Sequence, residues 1–165
     1  MLGARYEREL MRLLEGDREM VKKYIRSYSL NTESASALNY QTKKPFLVVR
    51  SAGSKAMDLL AVCMNTVLPI EIKSSSSEVI NFTDSNGRNQ RQYIELLKLI
   101  ERSSLPLFYA VRLKNSGTEL WHNFIARKLQ GWSWVPVVSE TKSGNVSIKW
   151  SDGFSLIEFL RRLIE

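Results

Sequence analysis

The reading of this chain turns on Arg50-Ser51-Ala52-Gly53-Ser54-Lys55-Ala56-Met57-Asp58, followed after twelve intervening residues by Glu71-Ile72-Lys73. The segments around these charges are apolar: Phe46-Leu47-Val48-Val49 before them, Leu59-Leu60-Ala61-Val62-Cys63-Met64 and Val67-Leu68-Pro69-Ile70 between them. Short apolar runs rich in β-branched residues and bounded by Ser, Gly and Asn predict buried strands. Asn65-Thr66 then predicts a two-residue hairpin loop, which pairs Met64 with Val67 and sets Asp58 opposite Lys73. Residues directly opposite share a face, as do residues two apart on one strand. The expectation is that Asp58, Glu71 and Lys73 converge on one face at the open end of the hairpin.

Two carboxylates and an ammonium beside apolar strands are costly to bury. They make chemical sense around a divalent cation. Hard carboxylate oxygens hold Mg²⁺, which keeps several waters and takes the rest of its shell from substrate phosphates. Lys73, adjacent but not a ligand, would orient the attacking water or stabilise the phosphorane-like transition state. On a surface hairpin the same charges would be a solvated salt bridge, and Asp…Glu-x-Lys alone is a common pattern. The apolar context and the preceding loop favour the catalytic reading. That loop holds Gly53, Ser54 and two cations, Arg50 and Lys55, a combination suited to a phosphate.

Asp-x12-Glu-x-Lys resembles the core of the PD-(D/E)xK nuclease superfamily, and Arg-Ser-Ala-Gly-Ser-Lys before the Asp is similar to the loop of archaeal Hjc-type Holliday junction resolvases. Gly3-Ala4-Arg5-Tyr6-Glu7-Arg8-Glu9-Leu10 resembles that family's first helix, Tyr109–Leu113 the strand after its long helix, and Gly153-Phe154-Ser155-Leu156 its C-terminal segment. Two departures stand out. Met57 occupies a position where many superfamily members have Pro, and the segment from about 16 to 45 looks like an insertion between helix one and the next strand. The resemblance implies Glu7, Asp58, Glu71, Lys73 and Ser54 in catalysis and Glu7, Asp58, Glu71 and Ile72 at the metal. It also implies Arg8, Arg50, Ser54, Lys55, Arg88 and Gln90 on DNA. Members often place a Gln early in the long helix, and Gln92 or Asn89 would fit as well as Gln90.

At 165 residues the chain fits one domain, 1–165. Lys and Arg outnumber Asp and Glu by 24 to 17, a net charge of +7 that favours a polyanionic partner. No stretch is long and apolar enough to span a membrane, and the N-terminus does not read as a signal peptide. The lone Cys63 excludes an intrachain disulfide, in keeping with a reducing cytoplasm, the expected location.

Residues 4–15 predict an amphipathic helix through Leu10, Leu13 and Leu14, with Glu7 on or beside the buried face and Glu9 outward. Residues 17–28 predict a basic helix with Met20, Val21, Tyr24 and Ile25 opposite Lys22, Lys23 and Arg26. Ser29–Lys44 is polar and predicts a long flexible loop. A second mobile linker is expected from Ser74 to Arg88, which could lie along a DNA backbone. Tyr93, Leu96, Leu97 and Ile100 predict a helix over 89–102. Strands are expected at Pro106–Leu113 and Thr118–Ile125, joined by a turn at Asn115-Ser116-Gly117. An extended apolar segment through Trp132, Trp134 and Val137-Val138 is expected to pair with Val146–Trp150. His122 has no visible partner and reads as structural. A last helix follows Gly153.

These readings predict an α/β fold: a mixed, mostly antiparallel central sheet flanked by helices, with a restriction-endonuclease-like core. The expected activity is structure-selective cutting of four-way DNA junctions with Mg²⁺, for which Mn²⁺ substitutes. The resemblance implies a homodimer, and two opposed nicks need two sites related by a twofold axis. A flap- or duplex-specific nuclease of the same superfamily is the first alternative. A catalytically idle DNA-binding module is the second, though such a module has no use for three acids near a phosphate.

Overall fold

The apolar runs do become strands. In the computed structural model, which describes residues 3–51, 57–81, 87–114 and 121–164, β1 (Leu47–Arg50), β2 (Leu59–Cys63) and β3 (Thr66–Ser75) form an antiparallel meander. The chain then passes through β4 (Val79–Asn81) and the long helix of Arg88–Ser103 before β5 (Phe108–Leu113) joins β3 in parallel. Antiparallel β6 (Trp121–Ile125) and β9 (Phe154–Ser155) complete a sheet of order β1-β2-β3-β5-β6-β9. A second sheet sets β8 (Val146–Lys149) between β4 and β7 (Ser139–Glu140). This is the expected mixed α/β architecture.

β5 is buried along its whole length, as befits a strand covered on both faces. Its alternation splits the core in two. Phe108 and Ala110 join the layer of α1 (Gly3–Leu14), α2 (Arg18–Ser27), α3 (Thr32–Gln41) and the C-terminal α5 (Leu156–Ile164). Tyr109, Val111 and Leu113 join Tyr93, Leu96 and Leu97 of the long helix, α4, together with Val146 and Ile148 of the small sheet.

The helical layer departs from expectation at Ser29–Lys44, where ten residues form α3 rather than a loop. Asn31 caps it, its side chain accepting from the Ser34 N–H at 2.8 Å. Leu38 is fully buried, and the Gln41 amide donates to the Leu14 carbonyl at 2.8 Å, so one apolar anchor and one buried hydrogen bond dock an otherwise polar helix. Between α1 and α2 the chain turns at Gly16 (φ +63°), with Gly16 N–H on Leu13 and Asp17 N–H on Arg12, a Schellman motif. A Cβ there would lie 2.4 Å from the Gln41 carbonyl.

Two further expectations change. The linker after Lys73 is partly sheet: β3 runs on through Ser75, and β4 pairs with β8. The tryptophan segment is a run of turns, and only Val137 bridges to Ile125. Trp132 and Trp134 pack among Phe108, Phe154 and Phe159, which explains the irregular backbone: the rings, rather than a ladder, hold it. The Asn115-Ser116-Gly117 turn lies outside the described residues.

Candidate active site

The hairpin turns one residue earlier than predicted. Cys63 pairs with Thr66 and Leu59 with Ile70, so the loop is Met64-Asn65, with Met64 at φ +49°. Every pair thus shifts by two residues, which preserves the face of each side chain because the strand period is two. Asp58 does not lie opposite Lys73. Its N–H donates to the Ile70 carbonyl at 3.0 Å, although Ile70 is already paired with Leu59. Two residues sharing one partner is a β-bulge pattern, which bends the strand end.

Beyond that point β2 has ended while β3 continues, leaving one flank of Glu71–Ser75 open. Asp58 covers it: its Oδ2 accepts the Ile72 N–H at 2.7 Å. The N–H and C=O of a strand residue point to the same flank, so the Ile72 carbonyl also faces Asp58. The acids therefore straddle an edge instead of sharing a face. On the α1 side Ala4, Tyr6, Glu7, Asp58, Ile72 and Ser74 line a cavity of about 240 Å³. On the α4 side Glu71 and Lys73 face Asn89, Gln92, Tyr93 and Tyr109. Glu7, Asp58 and Ile72 come together; Glu71 and Lys73 lie just through the sheet edge.

Electrostatics single out the two hairpin acids. The Glu71 side chain is 5% exposed; its Oε1 accepts from Lys73 Nζ at 2.8 Å and from Gln92 Nε2 at 3.5 Å, whereas its Oε2 is buried with no partner. Burial, and then the nearby Asp58 charge, hold the Glu71 carboxyl above its ordinary range despite Lys73. Burial also raises Asp58, with Glu7 adding to the effect while the Ile72 N–H, Lys73 and Arg50 oppose it. Among the described residues no three His, Cys, Asp or Glu side chains cluster tightly enough to enclose a metal ion. Still, an orphaned carboxylate oxygen beside a second carboxylate that burial also disfavours is the signature of a site short of positive charge. The donor set fits a hard divalent cation.

The remaining site residues fall as follows. Arg50, at the end of β1, ion-pairs with Glu7, and this contact keeps its guanidinium charged to higher pH. Arg8 is exposed on α1, its Nε donating to the Ala4 carbonyl. Arg88 opens α4. Ser54 and Lys55 lie outside the described residues. Gln90 turns away, donating to the Gly144 carbonyl at 2.8 Å in the turn between β7 and β8; Gln92, two residues on, is the amide that reaches Glu71.

Sequence reasoning put Glu9 outward and missed its role. Its Oε1 accepts from Arg112 Nε at 2.9 Å and from Trp121 Nε1 at 2.9 Å, and Arg112 lies over the Tyr6 ring at 4.2 Å. Arg112 stands near the end of a buried strand and needs a carboxylate. This network fixes α1 against β5 and β6, and with it the position of Glu7. His122 stacks on Trp150 at 3.7 Å, and since a carbonyl only accepts, its Nδ1 donates to the Trp150 oxygen at 2.8 Å; burial lowers its pKa. It is structural.

Comparison with known proteins adds to this geometry. The family model described as archaeal Holliday junction resolvase (Hjc) matches residues 32–164, a span that begins at α3 and leaves α1 and α2 ahead of it. The 1.6 Å structure of Archaeoglobus fulgidus Hjc, a Holliday junction resolvase from an archaeal hyperthermophile, superposes with a TM-score of 0.52 at 18% identity. The match covers 76% of this chain and 94% of that one. At that identity the likeness speaks to the fold. No curated protein matches the chain.

Proposed function

The chain belongs to the archaeal Holliday junction resolvase family, and we propose that it cuts four-way DNA junctions by Mg²⁺-dependent phosphodiester hydrolysis, as a homodimer placing paired nicks. The observation that carries the chemistry is the Asp58–Glu71 pair at the open flank of β3, with the orphaned Glu71 Oε2 and Lys73 beside it. Asp58, Glu71 and the Ile72 carbonyl would hold the metal, with Glu7 completing the acidic set. Bound there, Mg²⁺ supplies a water of lowered pKa and neutralises charge on the phosphodiester.

The chain's own residues do the rest. Asp58 is oriented by the Ile72 N–H before any substrate arrives. Lys73, held 2.8 Å from Glu71, places a positive charge where the phosphorane-like state develops its negative one. Arg50 holds Glu7 by an exposed ion pair that an incoming phosphate can compete for. The exposed Leu47 (69%) and Val49 (51%) on edge strand β1 support a dimer, since an apolar sheet edge is a surface that a second copy covers. The net charge of +7 supports a DNA partner read through phosphates and branch shape.

The test is incubation of the purified protein with a synthetic four-way junction, a matched duplex and a flap, with and without Mg²⁺. Paired, symmetric nicks in the junction only with metal are expected. Preferential cutting of the flap or duplex would overturn the substrate assignment, and cleavage in EDTA would overturn the metal.

A further inference from the structure

Beside the stripe of α1 that lines the acidic site lies a second, cationic cavity of about 380 Å³, walled by α1 and α2. Arg5, Arg8 and Arg12 recur at i, i+3 and i+7 and so form one stripe of α1, and Lys23 faces them from α2. The floor is Arg112, neutralised by Glu9, which is the one acid among the described residues lining the groove. Asp17 takes up Arg12 at 2.9 Å. Among the described residues no carboxylate pairs with Arg5, Arg8 or Lys23. Of the basic residues on α2, Lys22 is bound to Glu19 at 3.2 Å and does not line the groove.

Three cations left facing one another across a polar groove repel, and an anion running between them removes the repulsion. The stripe from Arg5 to Arg12 spans about 10 Å at the helical rise, the length of roughly three phosphates at ~3.4 Å each along one strand. The groove also shares a wall, α1, with the acidic site. Ala4 and Glu7 line that cavity from the adjacent stripe of the same helix.

We propose that the α1–α2 groove is a second phosphate track: it holds the backbone of a DNA strand beyond the scissile phosphate, through Arg5, Arg8 and Lys23. The proposal rests on the nuclease reading for its DNA partner and adds to it a surface built by α2. Because the contact is to phosphate, it carries no sequence preference and acts on affinity and its salt dependence. Arg112 and Glu9 serve as a fixed floor and make no contact with the strand.

The test is the salt dependence of binding, by fluorescence anisotropy in EDTA, for the wild type, Arg5→Gln/Lys23→Gln, and Lys22→Gln. A labelled four-way junction, a duplex and a single strand serve as probes. Each lost phosphate contact flattens the log-affinity against log-salt slope by about 0.9, so the double variant should lose about 1.8 and bind more weakly in low salt. Lys22→Gln should change the slope far less. Both variants should melt with the wild type, since these side chains are exposed. A wild type that binds DNA with a slope the double variant leaves unchanged overturns the groove and leaves the nuclease reading standing. A wild type that binds none of the three probes overturns both. Flattening by about 0.9 in Lys22→Gln, the same per charge removed as in the double variant, would also overturn the groove, because the effect would then be one of net charge.

Discussion

Glu71→Gln should make the metal-free protein more stable while destroying its response to Mg²⁺. Glu71 is buried, its Oε2 has no partner, and burial together with the Asp58 charge outweighs the help it receives from Lys73. Ionised Glu71 therefore costs folding free energy, and a neutral amide of the same shape relieves that cost. It can still accept from Lys73. A gain of about 1 kcal/mol is the scale for a single well-placed stabilising substitution, which raises the melting temperature by roughly 2–4 °C in a chain of this size.

For the wild type, Mg²⁺ at ten times its Kd adds about 1.4 kcal/mol. Scanning fluorimetry in EDTA and across an MgCl₂ titration should thus show the variant ahead without metal and the wild type overtaking it with metal. The pH dependence has a definite sign. A carboxyl raised in the folded state destabilises fully above its folded pKa, and the penalty fades as pH falls through that value toward the unfolded one, about 4.3. The variant's lead in EDTA should narrow on acidification. A variant that melts below the wild type in EDTA would refute the reasoning, because the Lys73 ion pair would then be net stabilising. A Mg²⁺ shift that survives in the variant would remove Glu71 from the metal.

Lys73→Ala removes a positive charge near the reacting phosphate but no metal ligand; junction cleavage should fall by roughly 100-fold or more, with the Mg²⁺-dependent melting shift retained in fluorimetry. Glu9→Ala strands Arg112 in a buried strand and takes an acceptor from Trp121, so urea unfolding should show a loss of about 3–5 kcal/mol. His122 is half-buried with its pKa lowered by that burial, so the unfolded chain takes up a proton first as pH falls. Stability should decline from about pH 6.5 downward, and His122→Asn should flatten that decline in a melting-temperature series.

What the sequence showed of this site follows from which interactions are local. The hairpin was legible because two short apolar runs, Leu59–Met64 and Val67–Ile70, flank a turn at Asn65, and a register error of two residues leaves every face unchanged. An apolar run says nothing about where β2 stops, so the move of Asp58 from a face to a flank was not legible. Helical periodicity located α4 but could not choose its amide. Gln92 lies four residues before Leu96 and Gln90 three before Tyr93, so both border the buried stripe, and only the docked helix shows which one meets Glu71. The Glu9–Arg112 pair spans 103 residues, beyond any local pattern. α3 did carry a signal, the N-cap residue Asn31 with Glu33 in the first turn, that the polarity of the segment hid.

The position of Glu9 also explains how one short helix can serve two surfaces. Leu10, Leu13 and Leu14 give α1 its buried stripe, and a stripe alone leaves a helix free to rotate by a few degrees. The Glu9 carboxylate, tied to Arg112 on β5 and Trp121 on β6, removes that freedom with bonds to two different strands. Once the rotation is fixed, Glu7 must look toward Asp58 and the Arg5–Arg8–Arg12 stripe must look toward α2. Loss of Glu9 should therefore disturb both the acidic site and the cationic groove, even though its carboxylate belongs to neither the metal set nor the phosphate contacts.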